Sequence, residues 1–304
     1  MHKFFEKIDV FNNIQFIEKY HRYTIGGVPT VSVTKVTGSV KAPFNAVTAS
    51  QYSVKKYNSE HGTNITPEEL QAIWGAKNIV AAEKGTAVHK FLECALSNKF
   101  EFYPAEHISK VFGDTLVNDV FLPLNVKELY GTMTMRDFFQ MEAIQREFGT
   151  DADPIKKSYD KIVNHVKEFL SEMRGRMFPI KSEVVIGSPK YLVCGMVDQI
   201  FYNIKTGQFE IWDWKTNSEF DIDDDECKYL LSEPLGHIKA TKLNEYSLQL
   251  ACYKKMFQEM TGIQLGQSRI CWFSELEPKY RVFPCKPFEA EAEILLTKFG
   301  GRTL

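Results

Sequence analysis

The stretch that decides the fold reads Gly195-Met196-Val197-Asp198, then a short apolar run, then Lys205-Thr206-Gly207-Gln208, then Ile211-Trp212-Asp213-Trp214-Lys215-Thr216. Residues 195–204 and 209–216 are rich in β-branched and aromatic side chains, and the turn residues between them predict a β-hairpin. Pairing Ile204 with Phe209 sets Asp198 opposite Lys215 and Asp213 opposite Ile200. Side chains alternate faces along a strand, so Asp198, Asp213 and Lys215 project from one face of the ribbon. Trp212 and Trp214 take the other, which implies a sheet covered on both sides. Two carboxylates beside an ammonium on a buried sheet are costly unless a divalent cation sits between them. The trio is therefore a candidate site.

Composition narrows the class. With 304 residues, 44% of them apolar, the chain can bury a large core. A net charge of −2 provides no global positive field, so any groove for a polyanion must be local. The six cysteines contain no C-x-x-C pair, which argues against a zinc ribbon and offers no disulfide framework. No apolar run reaches membrane-spanning length. The N-terminal residues MHKFFEKIDVFNN carry Glu6 and Asp9 and lack an apolar signal region, so neither a secretory signal nor a transit peptide is expected.

Around the hairpin, local signals place the other elements. Residues 20–36 look like a hairpin turning at Gly26-Gly27. Thr66-Pro67-Glu68-Glu69 is a helix start, with Thr as N-cap and Glu at the third position, and the helix is expected to reach Glu83. Gly85-Thr86 should interrupt it before a second helix over 86–97. The stretch 99–150 is mixed. An amphipathic helix is expected over 155–174, strands over 178–186 and 190–204, a helix over 242–260, and a last pair of strands near 268–274 and 279–285. With no internal repeat and no low-complexity linker, residues 1–304 read as a single α/β domain. Its parts are an N-terminal hairpin (20–36), a mainly helical portion (66–175), and a sheet with its following helix (178–285).

The chemistry-bearing residues are each weak alone. Carboxylates such as Asp198 and Asp213 hold Mg²⁺ or Mn²⁺ in phosphodiester hydrolysis, and Lys215 can orient a water or stabilise charge on phosphorus. A surface hairpin with an ordinary Lys–Asp pair would read the same way. His89 and Glu93 lie four apart, on one helix face opposite the apolar stripe, and an imidazole can complete a carboxylate coordination sphere. Gln249 and Tyr253 share a helix face, where an amide can contact phosphate and a phenol can bond phosphate or stack on a base. Arg22 and Tyr23, following His21 and preceding Lys35 and Lys41, mix cations with an aromatic as single-strand contacts do. The run Asp221 to Glu226 reads as a solvated acidic loop.

Taken in order, G-T-x-x-H-x-x-x-E, a strand glutamate, G-x-V-D, D-x-K and Q-L-x-x-Y resemble the RecB-type branch of the PD-(D/E)XK nuclease superfamily. Spacing and the N-terminal hairpin make the chain most similar to the mitochondrial genome maintenance exonucleases and their phage and bacterial relatives, over about residues 20–275. The resemblance implies a restriction-endonuclease-like core: a central mixed β-sheet flanked by helices, with helical elaboration. It implies His89, Asp198 and Asp213 as metal ligands, with the backbone carbonyl of Trp214 as a fourth, and Lys215 as catalytic lysine. Glu183 matches the family's strand glutamate, with a structural role and a metal-supporting role both open. Gln249 and Tyr253 match the helix lining the substrate path. Val197 replaces the motif's proline, as is usual in this branch. The implied activity is Mg²⁺-dependent exonucleolytic hydrolysis of single-stranded DNA, with Mn²⁺ able to substitute and no iron–sulfur cluster. A structure-specific endonuclease or nickase, or a silent single-strand-binding module, are the alternatives. No G-x-x-x-x-G-K-[ST] occurs, so unwinding would need a helicase partner; a recombinase or a single-strand-binding protein are the other partners implied, and no membrane. The expected setting is the cytoplasm of a bacterial or phage-infected cell rather than a mitochondrion.

Overall fold

A strand of eleven residues, β6 (Val193–Asn203), organises the sheet because it is paired along both edges. The computed structural model describes residues 6–20, 22–97 and 153–301. It shows an α/β arrangement with a mixed sheet between helical layers. One edge of β6 is occupied by β5 (Met177–Ser188), antiparallel along nearly its whole length. The other edge is shared. β4 (Val31–Ser32) pairs in parallel with Val193 and Cys194, and β7 (Gln208–Lys215) pairs antiparallel with residues 199–203. β8 (Arg269–Trp272) then runs parallel to β7, and β9 (Arg281–Pro284) closes the edge antiparallel to β8.

The hairpin forms with a register different from the expected one. Tyr202 pairs with Phe209 and Ile200 with Ile211, so Ile204 belongs to the turn. The cause is Asn203, whose Oδ1 accepts from the backbone N–H of Lys205 (3.0 Å) and Thr206 (3.2 Å), starting the turn one residue early. Gly207 closes the turn at φ 69°, a conformation that favours glycine. Because the partner moves by two residues, every side chain keeps its face. One more pair in this register sets Asp198 opposite Asp213, not Lys215.

Two cores pack against the two faces. Trp212, Trp214, Phe201 and Phe273 are buried under α3 (Pro67–Ser97) and α4 (Asp153–Met173). Phe169 of α4 is the hub, with ring centroids 5.5 Å from Trp214 and 5.4 Å from Tyr280. Ile200, Ile211 and Ile270 are buried on the other side with α5 (Lys242–Thr261), α6 (Glu289–Phe299) and α1 (Val33–Gly38). The remaining described helix of length, α2 (Ala46–His61), buries little but Ser50, whose Oγ accepts from Gln71 of α3.

Several expected boundaries change. The Thr66 capping box is present in both directions: Thr66 N–H donates to Glu69 (2.9 Å) and Glu69 N–H to Thr66 Oγ1 (3.2 Å). The helix it starts does not break at Gly85-Thr86 but runs unbroken from Pro67 to Ser97. A Cβ at Gly85 would meet Thr216 Oγ1 at 3.1 Å, so this glycine serves the close approach of α3 to the end of β7. The N-terminal hairpin does turn at Gly26-Gly27, joining β2 (Arg22–Ile25) to β3 (Val28–Pro29), and β1 (Ile14–Ile17) adds a third strand. Beyond it the chain leaves for β4 and α1, so residues 33–36 are helical. The acidic loop caps α5: Asp221 accepts from Lys242 N–H, and Asp224 from Thr241 and Asn244. The stretch 99–150 and His21 lie outside the described residues. Among the described residues no helix is long and apolar enough to cross a membrane.

Gly195 is a close-packing glycine, since a Cβ there would fall 2.6 Å from the buried ring of Tyr253. Gly195→Ala should therefore lower stability by about 1–3 kcal/mol through overpacking. The unfolding midpoint in urea measures this, and an unchanged midpoint would show that Tyr253 can move aside.

Candidate metal and phosphodiester site

The site arises where β7 parts from β6. Trp214 N–H donates to the Asp198 carboxylate Oδ2 at 2.6 Å. A side chain thus takes the place of a ladder partner just where the backbone pairing between these strands ends, beyond Gln199 and Trp212. On the far side of β6, Ser182 pairs with Gln199 and Val184 with Val197, so Glu183 stands opposite Asp198. Glu183, Asp198 and Asp213 therefore form one row across three adjacent strands. Glu183 has φ 49°. A left-handed glutamate inside a strand costs about 1–3 kcal/mol, and such strain concentrates at functional sites.

His89 reaches the row from α3. Its Nε2 lies 3.2 Å from the carbonyl oxygen of Trp214, and Nδ1 lies 3.7 Å from Asp198 Oδ1. Both backbone groups of Trp214 are thus held, the N–H by Asp198 and the carbonyl by His89. Ligand atoms of His89, Glu183 and Asp198 all lie within 4.8 Å of one another, a spacing one cation could span. Asp213 is next in the row but is not one of this trio. Its buried Oδ2 forms an ion pair with Lys215 Nζ.

Crowded like charges show in the electrostatics. Burial, then the charges of Asp198 and Glu93, push Glu183 from 4.5 up to about 8. Burial and the neighbouring Asp213 raise Asp198, although His89 and Lys215 oppose this. Burial works against the Lys215 ammonium, but Asp213 and Asp198 outweigh it and its pKa is raised. Lys215 stays charged beside carboxylates that are short of positive charge. The donor set fits a hard or borderline divalent cation: carboxylate oxygens, one imidazole and a peptide carbonyl.

The supposed substrate contacts fare differently. Arg22 is exposed on β2. Tyr23 is 7% exposed and packs on Phe16, with ring centroids 4.7 Å apart, so it offers no face to a base. Strand alternation turns it inward toward Cys194. Tyr253 is 3% exposed, lies against Gly195 and hydrogen-bonds Gln249. It is a buried packing residue beneath the site, and it does not stack on a base. Gln249 is half-buried. Lys41 is engaged with Glu245 at 2.8 Å.

Tyr246 was not among the expected residues. The Lys215 ammonium sits 4.5 Å from its ring centroid, and the ring packs on Phe220, which stacks on Phe283 at 4.9 Å. Its position three residues before Gln249 and seven before Tyr253, on one helix face, was the available signal.

No family model and no curated protein matches the chain. Among solved structures, one described as "Crystal structure of SSO0001" is 15% identical with a TM-score of 0.25, over 56% of this chain and 65% of that one. The chain thus spans less than two thirds of that protein's length, and likeness at this level carries no argument about activity.

The raised pKa of Glu183 has a sign that can be measured. The metal-free folded state holds a proton there that the unfolded chain has released, so stability falls as pH rises from about 4.5 to about 8. At its steepest the loss approaches 1.4 kcal/mol per pH unit, about the limit for one proton. Urea unfolding in EDTA between pH 5 and 8 should show this slope, and Glu183→Gln should flatten it. A slope of the opposite sign, or one unchanged in the variant, would remove Glu183 from the crowded row.

Proposed function

We propose that this chain is a divalent-metal-dependent nuclease of the PD-(D/E)XK kind, hydrolysing phosphodiester bonds of single-stranded DNA from an end. The observation that carries the reading is the row Glu183–Asp198–Asp213, with Lys215 against its last member and His89 against its middle one. Carboxylates in this proximity repel one another, and a structural ion pair would not need three. His89, Glu183 and Asp198 would hold the cation, with Asp213 next in the row and the Trp214 carbonyl beside His89. When bound there, Mg²⁺ would supply the positive charge that draws in the phosphate and acidifies the attacking water.

The chain's own groups do the rest. Lys215 keeps its proton at Nζ and, held over the Tyr246 ring, can stabilise charge that develops on the phosphate oxygens. The contacts of Asp198 and His89 with the N–H and the carbonyl of Trp214 fix the two peptide units that flank it, and with them the backbone from which Asp213 and Lys215 project. Nothing in this set reads a base, so specificity would be for backbone and end. The preference for single strands rests on the sequence resemblance.

The test is digestion of a single-stranded oligonucleotide labelled at either end, in Mg²⁺ or in EDTA. Shortening should require the metal. Asp213→Asn and Lys215→Met should each reduce turnover by about 10²–10⁴-fold while the fold persists. Undiminished cleavage in either variant would rule out this site. Cleavage of a closed single-stranded circle would make the enzyme an endonuclease, and binding without cleavage would make it a silent binding module.

A further inference from the structure

The sheet face away from the carboxylates carries a second polar construction. Glu210 is 2% exposed, and its carboxylate is fully engaged. Oε2 accepts from Arg269 Nε at 2.9 Å and from Trp212 Nε1 at 3.1 Å, and Oε1 accepts from Asn203 Nδ2 at 2.8 Å. A buried carboxylate is tolerated only when paired and hydrogen-bonded, and here the pairing fixes one guanidinium in place. Arg269 also lies 5.7 Å from the Trp212 ring centroid. Its bond to Glu210 uses Nε, which leaves the two Nη groups without a protein acceptor among the described residues.

Arg269 borders a cavity of about 540 Å³. Arg176 and Lys205 line it too, exposed and with no carboxylate of the described residues in ion-pair contact. Met173, Met177 and Ile204 supply an apolar side, and no acidic residue lines the cavity. Three cations thus border it with no acid in the lining itself, although Glu210 holds Arg269 from behind and Glu172 lies within electrostatic reach of Arg176. The cavity lies near the 204–207 turn, at the other end of β7 from Asp213, and Trp212 and Asp213 project from opposite faces of that strand.

We propose that this cavity binds a small phosphate ester with an apolar body, of nucleoside-monophosphate size. It is separate from the carboxylate row, and it stands whether or not the nuclease reading does. A fixed guanidinium presents a planar fork that matches two phosphate oxygens, and Lys205 and Arg176 add charge at the mouth. The volume falls in the range of small-ligand sites, roughly 300–1,000 Å³. Methionines adapt their shape to a flat apolar body.

Titration calorimetry with a deoxynucleoside 5′-monophosphate and, separately, inorganic phosphate tests this. EDTA is present throughout, so that no metal at the carboxylate row contributes. The nucleotide should bind about tenfold or more tighter than phosphate, because phosphate leaves the apolar side unused. Arg176→Ala combined with Lys205→Ala, both at exposed positions that spare the fold, should weaken nucleotide binding about tenfold or more. Equal affinity for phosphate and nucleotide would overturn the ligand class. No binding of either, or an affinity unchanged in the double variant, would overturn the site.

Discussion

The hydrogen bond from Trp214 N–H to the Asp198 carboxylate is the contact on which the arrangement of the site depends. It lets β7 leave β6 without abandoning a buried donor, and it fixes one carboxylate of a row that would otherwise repel itself apart. Two unit charges ~5 Å apart at an effective dielectric of ~20 repel by about 3 kcal/mol. Glu183, Asp198 and Asp213 stand next to one another on consecutive strands, so the fold must meet that cost through partners. Lys215 and His89 offset part of it, and the proton retained on Glu183 offsets more. A site held in this state is prepared for further positive charge.

Holding the row in place is work for aromatic packing on both faces. Behind the sheet, Phe169 meets Trp212, Trp214, Phe273 and Tyr280, so the strand that carries Asp213 and Lys215 cannot rotate without breaking a core. In front, Phe283, Phe220 and Tyr246 form a column that ends under the Lys215 ammonium. Trp272 Nε1 donates to Asn217 carbonyl oxygen at 2.6 Å and ties down the chain just past Lys215. Rigid strands and locked rings hold these charged groups in place.

Much of the architecture was legible from local pattern. The turn at Gly26-Gly27, the capping box at Thr66, the amphipathic helix ending at Met173, and the last strand pair all depend on residues close together in the sequence. So does the sharing of a face by Asp198, Asp213 and Lys215, since period-two alternation survives a register error of two. The unbroken helix through Gly85 was not legible. A glycine that breaks a helix and a glycine that lets a strand end approach look alike until Thr216 is brought beside it.

The sequence by itself determined which groups could do chemistry and on which strand face they stand, because strand alternation and helix spacing are properties of the backbone. Beyond the hairpin, tertiary structure decided who meets whom. Within it the register is local: Asp198 faces Asp213 instead of Lys215 because the Asn203 side chain begins the turn one residue early. Glu183 joins the row because β5 pairs with β6 in a register that no local signal sets. Tyr23 and Tyr253, aromatic and polar enough to suggest contact with a base, are buried because distant segments cover them. Burial and partner choice are sums over residues far apart in the chain, and no window of sequence contains them.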